Sequence, residues 1–128
     1  KYLYPAGMRR ASLMWNRRLV SEITERPLLV VEGIFDAMPY YENAVALLGK
    51  PTKYQVEQLK KAHRPLVIVL DGDAWEEGYA LSQKLRLNGN RATHIKLPPG
   101  EDPGSVARNW MLDQIKKEGW KLNGNNTI

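Results

Sequence analysis

The chain has 128 residues, 43% of them hydrophobic, with 19 Lys plus Arg against 14 Asp plus Glu. That length fits one domain burying about two-thirds of the surface its unfolded chain would expose. Cysteine is absent, which excludes disulfides and thiolate zinc ligands and suits a cytoplasmic protein; no apolar run approaches the ~18 residues a membrane span needs. Neither a membrane contact nor a secretory leader is therefore expected, and a chain starting at Lys1 rather than Met is expected to be a piece of a longer one. The positive excess suits either a solvated surface or an anionic partner, nucleic acid first among them. Segregation favours the partner: Arg9, Arg10, Arg17 and Arg18 crowd the first twenty residues, where no acid occurs.

In chain order, residues 1–26 form a basic, aromatic leader (Tyr2, Tyr4, Trp15) without clean periodicity, expected to be an extended arm with a short helix. The α/β alternation of the main domain, residues 27–118, follows. Leu28 to Glu32 is a short aliphatic strand of the kind buried on both faces in parallel sheets. A short helix is expected near 34–41, then a strand from Ala44 to Leu47 ending in Leu48-Gly49. Thr52 is an N-cap for a helix to about Ala62, with Val56 and Leu59 facing inward. Leu66 to Leu70 is the third strand. A helix from about Glu76 to Leu87 closes at Asn88-Gly89. Ala92 to Leu97 is the fourth strand, broken by Pro98-Pro99-Gly100. Asp102-Pro103, Asp at the cap and Pro at the first helical position, predicts a helix to about Lys117. Residues 119–128 are a Gly- and Asn-containing tail expected to fray. Strands alternating with helices imply a parallel sheet with right-handed crossovers.

Acids gather where the strands stop. Glu32-Gly33 and Asp36 follow the first strand, and Asp71-Gly72-Asp73 follows the third. In open α/β sheets ligands bind at the carboxyl ends of strands. Asp71 and Asp73 are two apart on extended chain, so their side chains leave one face. Two carboxylates within ~5 Å repel by about 3 kcal/mol at an effective dielectric near 20, which a bound cation or proton relieves. Oxygen-only donors favour Mg²⁺ or Mn²⁺. A solvated loop in which Asp71 caps the next helix is an equal reading of that motif alone. Burial of Glu32 would raise its pKa toward general acid or base work, while a helix-start acid is the plainer alternative. Gly33 permits a tight turn or close approach of a phosphate. Glu101-Asp102 should reach the same edge, although Asp102 also suits a cap. His63 and His94 are isolated, Trp110 belongs on a helix's core face, and Trp75 suits packing more than base stacking.

Taken together, Val31-Glu32-Gly33-Ile34-Phe35-Asp36, Val45-Ala46-Leu47-Leu48-Gly49 and Leu70-Asp71-Gly72-Asp73 resemble the Toprim domain shared by DnaG-like primases, type IA and II topoisomerases, OLD-type nucleases and RecR-type recombination mediators. Lys1-Tyr2-Leu3 and Leu97-Pro98-Pro99-Gly100-Glu101-Asp102-Pro103 make the primases the best match, over residues 1 to about 113. The resemblance implies a Rossmann-like α/β Toprim fold, a mainly parallel four-stranded sheet flanked by helices. It implies Glu32 as general base or metal ligand, Asp71 and Asp73 as principal Mg²⁺ (or Mn²⁺) ligands, and Asp36 and Asp102 as a wider acidic set. Lys1 and Arg9 or Arg10 would hold template or nucleotide phosphates.

The implied activity is primer synthesis on single-stranded DNA from nucleoside triphosphates, with a replicative helicase as partner through parts not in this chain. Two departures stand out. Ala74-Trp75-Glu76 replaces a basic residue and an Ala-Gly pair, and Lys50 replaces a Thr, adding a charge that suits phosphate. A Toprim-type nuclease and a non-catalytic DNA-binding Toprim protein are the alternatives; Lys1 and the Gly100–Pro103 stretch argue against the first and the full acid set against the second. Asp71-Gly72-Asp73 also resembles a HAD-type phosphatase, but that motif normally sits on the first strand and continues Gly-Thr. A receiver domain using Asp71 and Lys96 would want adjacent acids where Glu32-Gly33 stands.

Overall fold

The pleat of each strand divides its side chains between two faces, and in this chain both faces are apolar. The structure, a computed structural model, describes residues 13–118. Strands β1 (Leu28–Val31), β2 (Ala44–Ala46), β3 (Leu66–Ile68) and β4 (Ala92–His94) form one parallel sheet in the order β2-β1-β3-β4. Leu28, Val30, Val45, Leu66 and Ile68 point to one face, joined by Leu47 and Leu70 beyond the strand ends. Val56 and Leu59 of α2 (Lys53–Leu59) and Leu81 and Leu85 of α3 (Trp75–Leu87) cover them. Leu29, Val31, Ala44, Ala46 and Val67 point the other way, against Ala37 of α1 (Ile34–Ala37) and Met111, Leu112 and Ile115 of α4 (Arg108–Lys117). Burial on both faces is why these strands are aliphatic runs rather than alternating ones.

The ladder outruns the assigned strands. Val69 N–H bonds the Val30 carbonyl at 2.9 Å, Leu47 N–H the Val31 carbonyl at 2.9 Å and Ile95 N–H the Ile68 carbonyl at 3.0 Å. The first and third strands thus hold almost to their predicted ends, while the fourth stops short of Leu97. The cap predicted at Thr52 is a full capping box: its hydroxyl accepts from Gln55 N–H at 3.2 Å, and the Gln55 amide oxygen accepts from Thr52 N–H at 2.9 Å. α3 ends as predicted, with Gly89 at φ 96°.

Two helix predictions need correction. The helix expected near 34–41 is one α turn followed by a 3-10 segment (Met38–Asn43), kinked at Tyr40, because Pro39 lacks the N–H that would continue it. The helix expected from Asp102-Pro103 begins instead at Arg108. Asp102 does cap: its carboxylate and carbonyl both accept from Ser105 N–H, at 2.8 and 3.0 Å. That turn closes on itself, and Ala107 leaves it extended at ψ 139°.

The described part of the basic leader packs into the domain. Trp15 exchanges two hydrogen bonds with Ala46 as an antiparallel bridge beside β2, and a 3-10 turn (Arg17–Ser21) buries Leu19 and Val20. Arg64, fully buried, donates to the carbonyls of Leu19 and Arg26 and to the Asn43 side chain. Among the described residues no helix is long and apolar enough to cross a membrane.

Candidate metal centre at the strand ends

Strand order reverses direction at β1: the chain moves to β2 on one side, then crosses back to β3 and β4 on the other. The carboxyl ends of β1 and β3 flank the crevice where open α/β sheets bind ligands. Glu32 stands at the end of β1 and Asp71 beyond the end of β3. The two are tied, because Asp71 N–H donates to Glu32 Oε1 at 3.3 Å. Asp36 reaches back from α1 and accepts from Gly104 N–H at 3.2 Å. The Asp36 and Asp102 carboxyls lie close enough to share a hydrogen bond when one is protonated. Gly104 permits this approach: a Cβ there would stand 3.0 Å from Asp36 Oδ1 and 3.3 Å from Asp102 Oδ1. Asp73 is exposed and lies in a 3-10 turn (Gly72–Ala74), not on extended chain, so the expectation that its side chain leaves the same face as Asp71 by strand alternation does not hold.

Electrostatics marks the cluster. Burial, with the charges of Glu32, Asp102 and Asp73 behind it, raises Asp71 to about 6. Burial followed by Asp102 and Asp71 does the same to Asp36, also to about 6. Glu32 is raised chiefly by burial, with Asp36 and Glu77 adding and the Asp71 N–H and Lys50 opposing. Lys50 does not face the acids unpaired, for its ammonium lies 3.0 Å from Glu77 on α3.

Asp71 Oδ1 is buried with no hydrogen-bond partner. A buried carboxylate oxygen left unpaired is costly, and a cation would satisfy it. Among the described residues no three Asp, Glu or His side chains already converge as a closed cage. Mg²⁺ ordinarily keeps several waters and takes one or two carboxylates plus substrate phosphates. An all-oxygen donor set and an orphaned buried oxygen fit such an ion.

Of the sequence-derived site residues, Glu32, Asp36, Asp71, Asp73 and Asp102 come to one edge of the sheet, and Lys50 borders it through Glu77. Lys1, Arg9 and Arg10 lie outside the described residues. Sequence reasoning missed Gly104, for which the Pro103-Gly104 turn dipeptide was the available signal. It also missed Gly72 as the point where two loops meet: its N–H donates to the Glu101 carbonyl at 2.8 Å, and a Cβ there would overlap the Pro98 carbonyl.

Residues 29–107 match the Toprim-like family profile. The chain belongs to the Toprim-like family. Two Pseudomonas putida DNA primases are 37% identical to it over 94 aligned residues, covering 63% of this chain and 14% of theirs. It is therefore a Toprim domain homologous to part of DNA primase, and it spans about one-seventh of those relatives. The Aquifex aeolicus primase, in a crystal structure of its zinc-binding and RNA polymerase domains, superposes with a TM-score of 0.64 at 21% identity, over 90% of this chain and 31% of that one. The RNA polymerase domain of Mycobacterium tuberculosis primase DnaG gives 0.54 at 22% identity, over 80% and 38%. These likenesses bear on the fold, and they agree with the predicted four-stranded parallel Toprim sheet.

Proposed function

We propose that this chain is the catalytic Toprim domain of a DNA primase, carrying out metal-dependent nucleotidyl transfer to make primers on single-stranded DNA. The observation that carries the reading is the Glu32–Asp71 pair at the sheet's switch point, with Asp71 Oδ1 buried and unpartnered. Asp71 and Asp73 would hold Mg²⁺ or Mn²⁺, with Glu32, Asp36 and Asp102 as the wider acidic set. A bound ion supplies charge neutralisation on the attacking and leaving oxygens of a phosphoryl transfer. Glu32, raised above the ordinary carboxylate range, is the residue fitted to take a proton from the attacking 3′-hydroxyl. Asp36, raised to about 6 by burial and then by the charges of Asp102 and Asp71, can retain a proton and keep the net charge of the cluster down when no cation is present. Lys50, or Lys1 with Arg9 and Arg10, would meet nucleotide or template phosphates. Template DNA, nucleoside triphosphates, a helicase and a cytoplasmic setting belong to the same proposal.

The test is calorimetric titration of Mn²⁺ into the domain, beside an Asp71→Ala/Asp73→Ala variant. Saturable binding lost in the variant, followed by loss of primer synthesis when the same changes are made in the full-length parent, supports the reading. Wild-type protein that takes up no Mn²⁺ even with nucleotide present would overturn it.

A further inference from the structure

α3 packs alongside β4, the edge strand of the sheet, in a run of matched contacts. Trp75 and Tyr79 are four apart and share a helix face; His94 and Lys96 are two apart on extended chain and share a strand face. The Lys96 ammonium lies 4.1 Å from the centre of the Trp75 ring. One turn on, the Tyr79 and His94 rings meet edge to face, 6.1 Å apart at 78°. Two turns further, Arg86 Nε donates to the Ala92 carbonyl at 2.6 Å. From Trp75 to Arg86 the stripe runs roughly 16 Å at the helical rise.

Packing accounts for the half-buried Trp75 and His94. It does not account for Tyr79, which is 51% exposed. Among the described residues Lys96 and Arg86 have no glutamate or aspartate within ion-pair distance, which they share with Lys53, Lys61 and Lys84; what is particular to them is their place on one stripe with Tyr79. Lys96 is exposed, with its ammonium held on the face of the Trp75 ring. Positive charges alternating with an exposed ring are the combination that tracks a single strand, phosphates on the cations and a base on the ring. The stripe begins two residues after Asp73, so a strand lying on it would lead to the acidic cluster.

We propose that the α3–β4 edge is a binding surface for single-stranded nucleic acid, in which Tyr79 stacks a base, Lys96 and Arg86 meet phosphates, and Trp75 positions Lys96. The surface needs no metal and adjoins the acidic site at Trp75.

The test is fluorescence anisotropy of a labelled short oligothymidylate titrated with the whole chain in EDTA, over a range of salt. Tyr79→Ala should weaken binding roughly 10-fold, within the span base–aromatic stacking supports, while Tyr79→Phe stays within about twofold of wild type. Lys96→Ala and Arg86→Ala should each lower the slope of log affinity against log salt by about 0.7, the value for one phosphate contact on a single strand. Thermal unfolding of each variant separates lost contacts from lost fold. No binding by the wild-type chain, or folded variants that keep its affinity and salt slope, would overturn the proposal. Because EDTA is present, failure of Mn²⁺ binding at Asp71 leaves this result unaffected.

Discussion

Gly72→Ala should drive apart the two loops that carry the acidic cluster. The added methyl would overlap the Pro98 carbonyl oxygen, with the Pro98 carbonyl carbon at 3.0 Å and Pro99 Cα at 3.3 Å. All three are backbone atoms, so no side chain can rotate away. Relief requires the loop of residues 98–101 to retreat, which also lengthens the 2.8 Å bond from Gly72 N–H to the Glu101 carbonyl. Overpacking costs about 1–3 kcal/mol and the lost hydrogen bond about 1 kcal/mol, together roughly 2–4 kcal/mol. For a domain of this size that lowers Tm by about 10 °C, read by circular dichroism. Mn²⁺ affinity should fall as well, because Asp71 and Asp73 ride on one loop and Asp102 on the other. Gly78→Ala is the contrast. Its methyl would meet the His94 ring at 3.0 Å and Leu70 Cγ at 3.3 Å, side-chain atoms that can shift, and replacing Gly within a helix gains about 1 kcal/mol. A Gly72→Ala protein with unchanged Tm and Mn²⁺ affinity would refute the reasoning.

Arg64→Met should lower stability by about 3–5 kcal/mol in urea unfolding, because the fully buried guanidinium satisfies the Leu19 and Arg26 carbonyls and Asn43 at once. With metal absent, the stability supplied by Asp36 and Asp71 should fall as pH rises from about 4 to about 6, since both are raised from 3.8 to about 6 and the folded state binds the extra protons in that window. His94, lowered by burial and then by Lys96, works oppositely in that range, so the acids are read as the difference between wild type and Asp36→Asn. Mg²⁺ should raise Tm more at pH 7.5 than at pH 5, because a cation competes with those protons; an equal rise at both would place its binding elsewhere.

How far the sequence discloses the molecule depends on whether a feature is local. Leu28–Val31 and Leu66–Ile68 are visible as strands because burial on both faces leaves little but Val, Ile and Leu. Thr52 is visible as an N-cap because such a cap closes within four residues, and the structure adds the return bond from Gln55. The acids are visible because they stand where those strands stop. What fails is what depends on contact between segments. Asp102-Pro103 has the signature of a helix start, yet Ser105 and the distant Asp36 take up the polar groups of that turn and the helix waits until Arg108. Lys50 looks free for a phosphate until α3 brings Glu77 to it. Gly72 looks like loop punctuation until Pro98 lies against it.

The acidic cluster is also a place where the fold works against itself, and this separates a functional site from a structural one. A carboxylate kept for stability sits near a cation or a helix end and has its pKa lowered, as Glu25 does beside Arg91. Asp71 shows the reverse: burial and three neighbouring acids raise it, and one of its oxygens has no partner. Neutralising it should therefore stabilise the metal-free protein. The raw shift corresponds to about 3 kcal/mol, and solvent screening of a partly exposed group leaves about 1 kcal/mol. Asp71→Asn should raise Tm in EDTA by roughly 3–5 °C near neutral pH, and the same variant should lose the further rise that Mn²⁺ gives wild type. An Asp71→Asn protein less stable than wild type in EDTA would mean that the carboxylate is held for the fold. Higher stability together with lost Mn²⁺ response would mean that it is held, at a cost to the fold, for a cation.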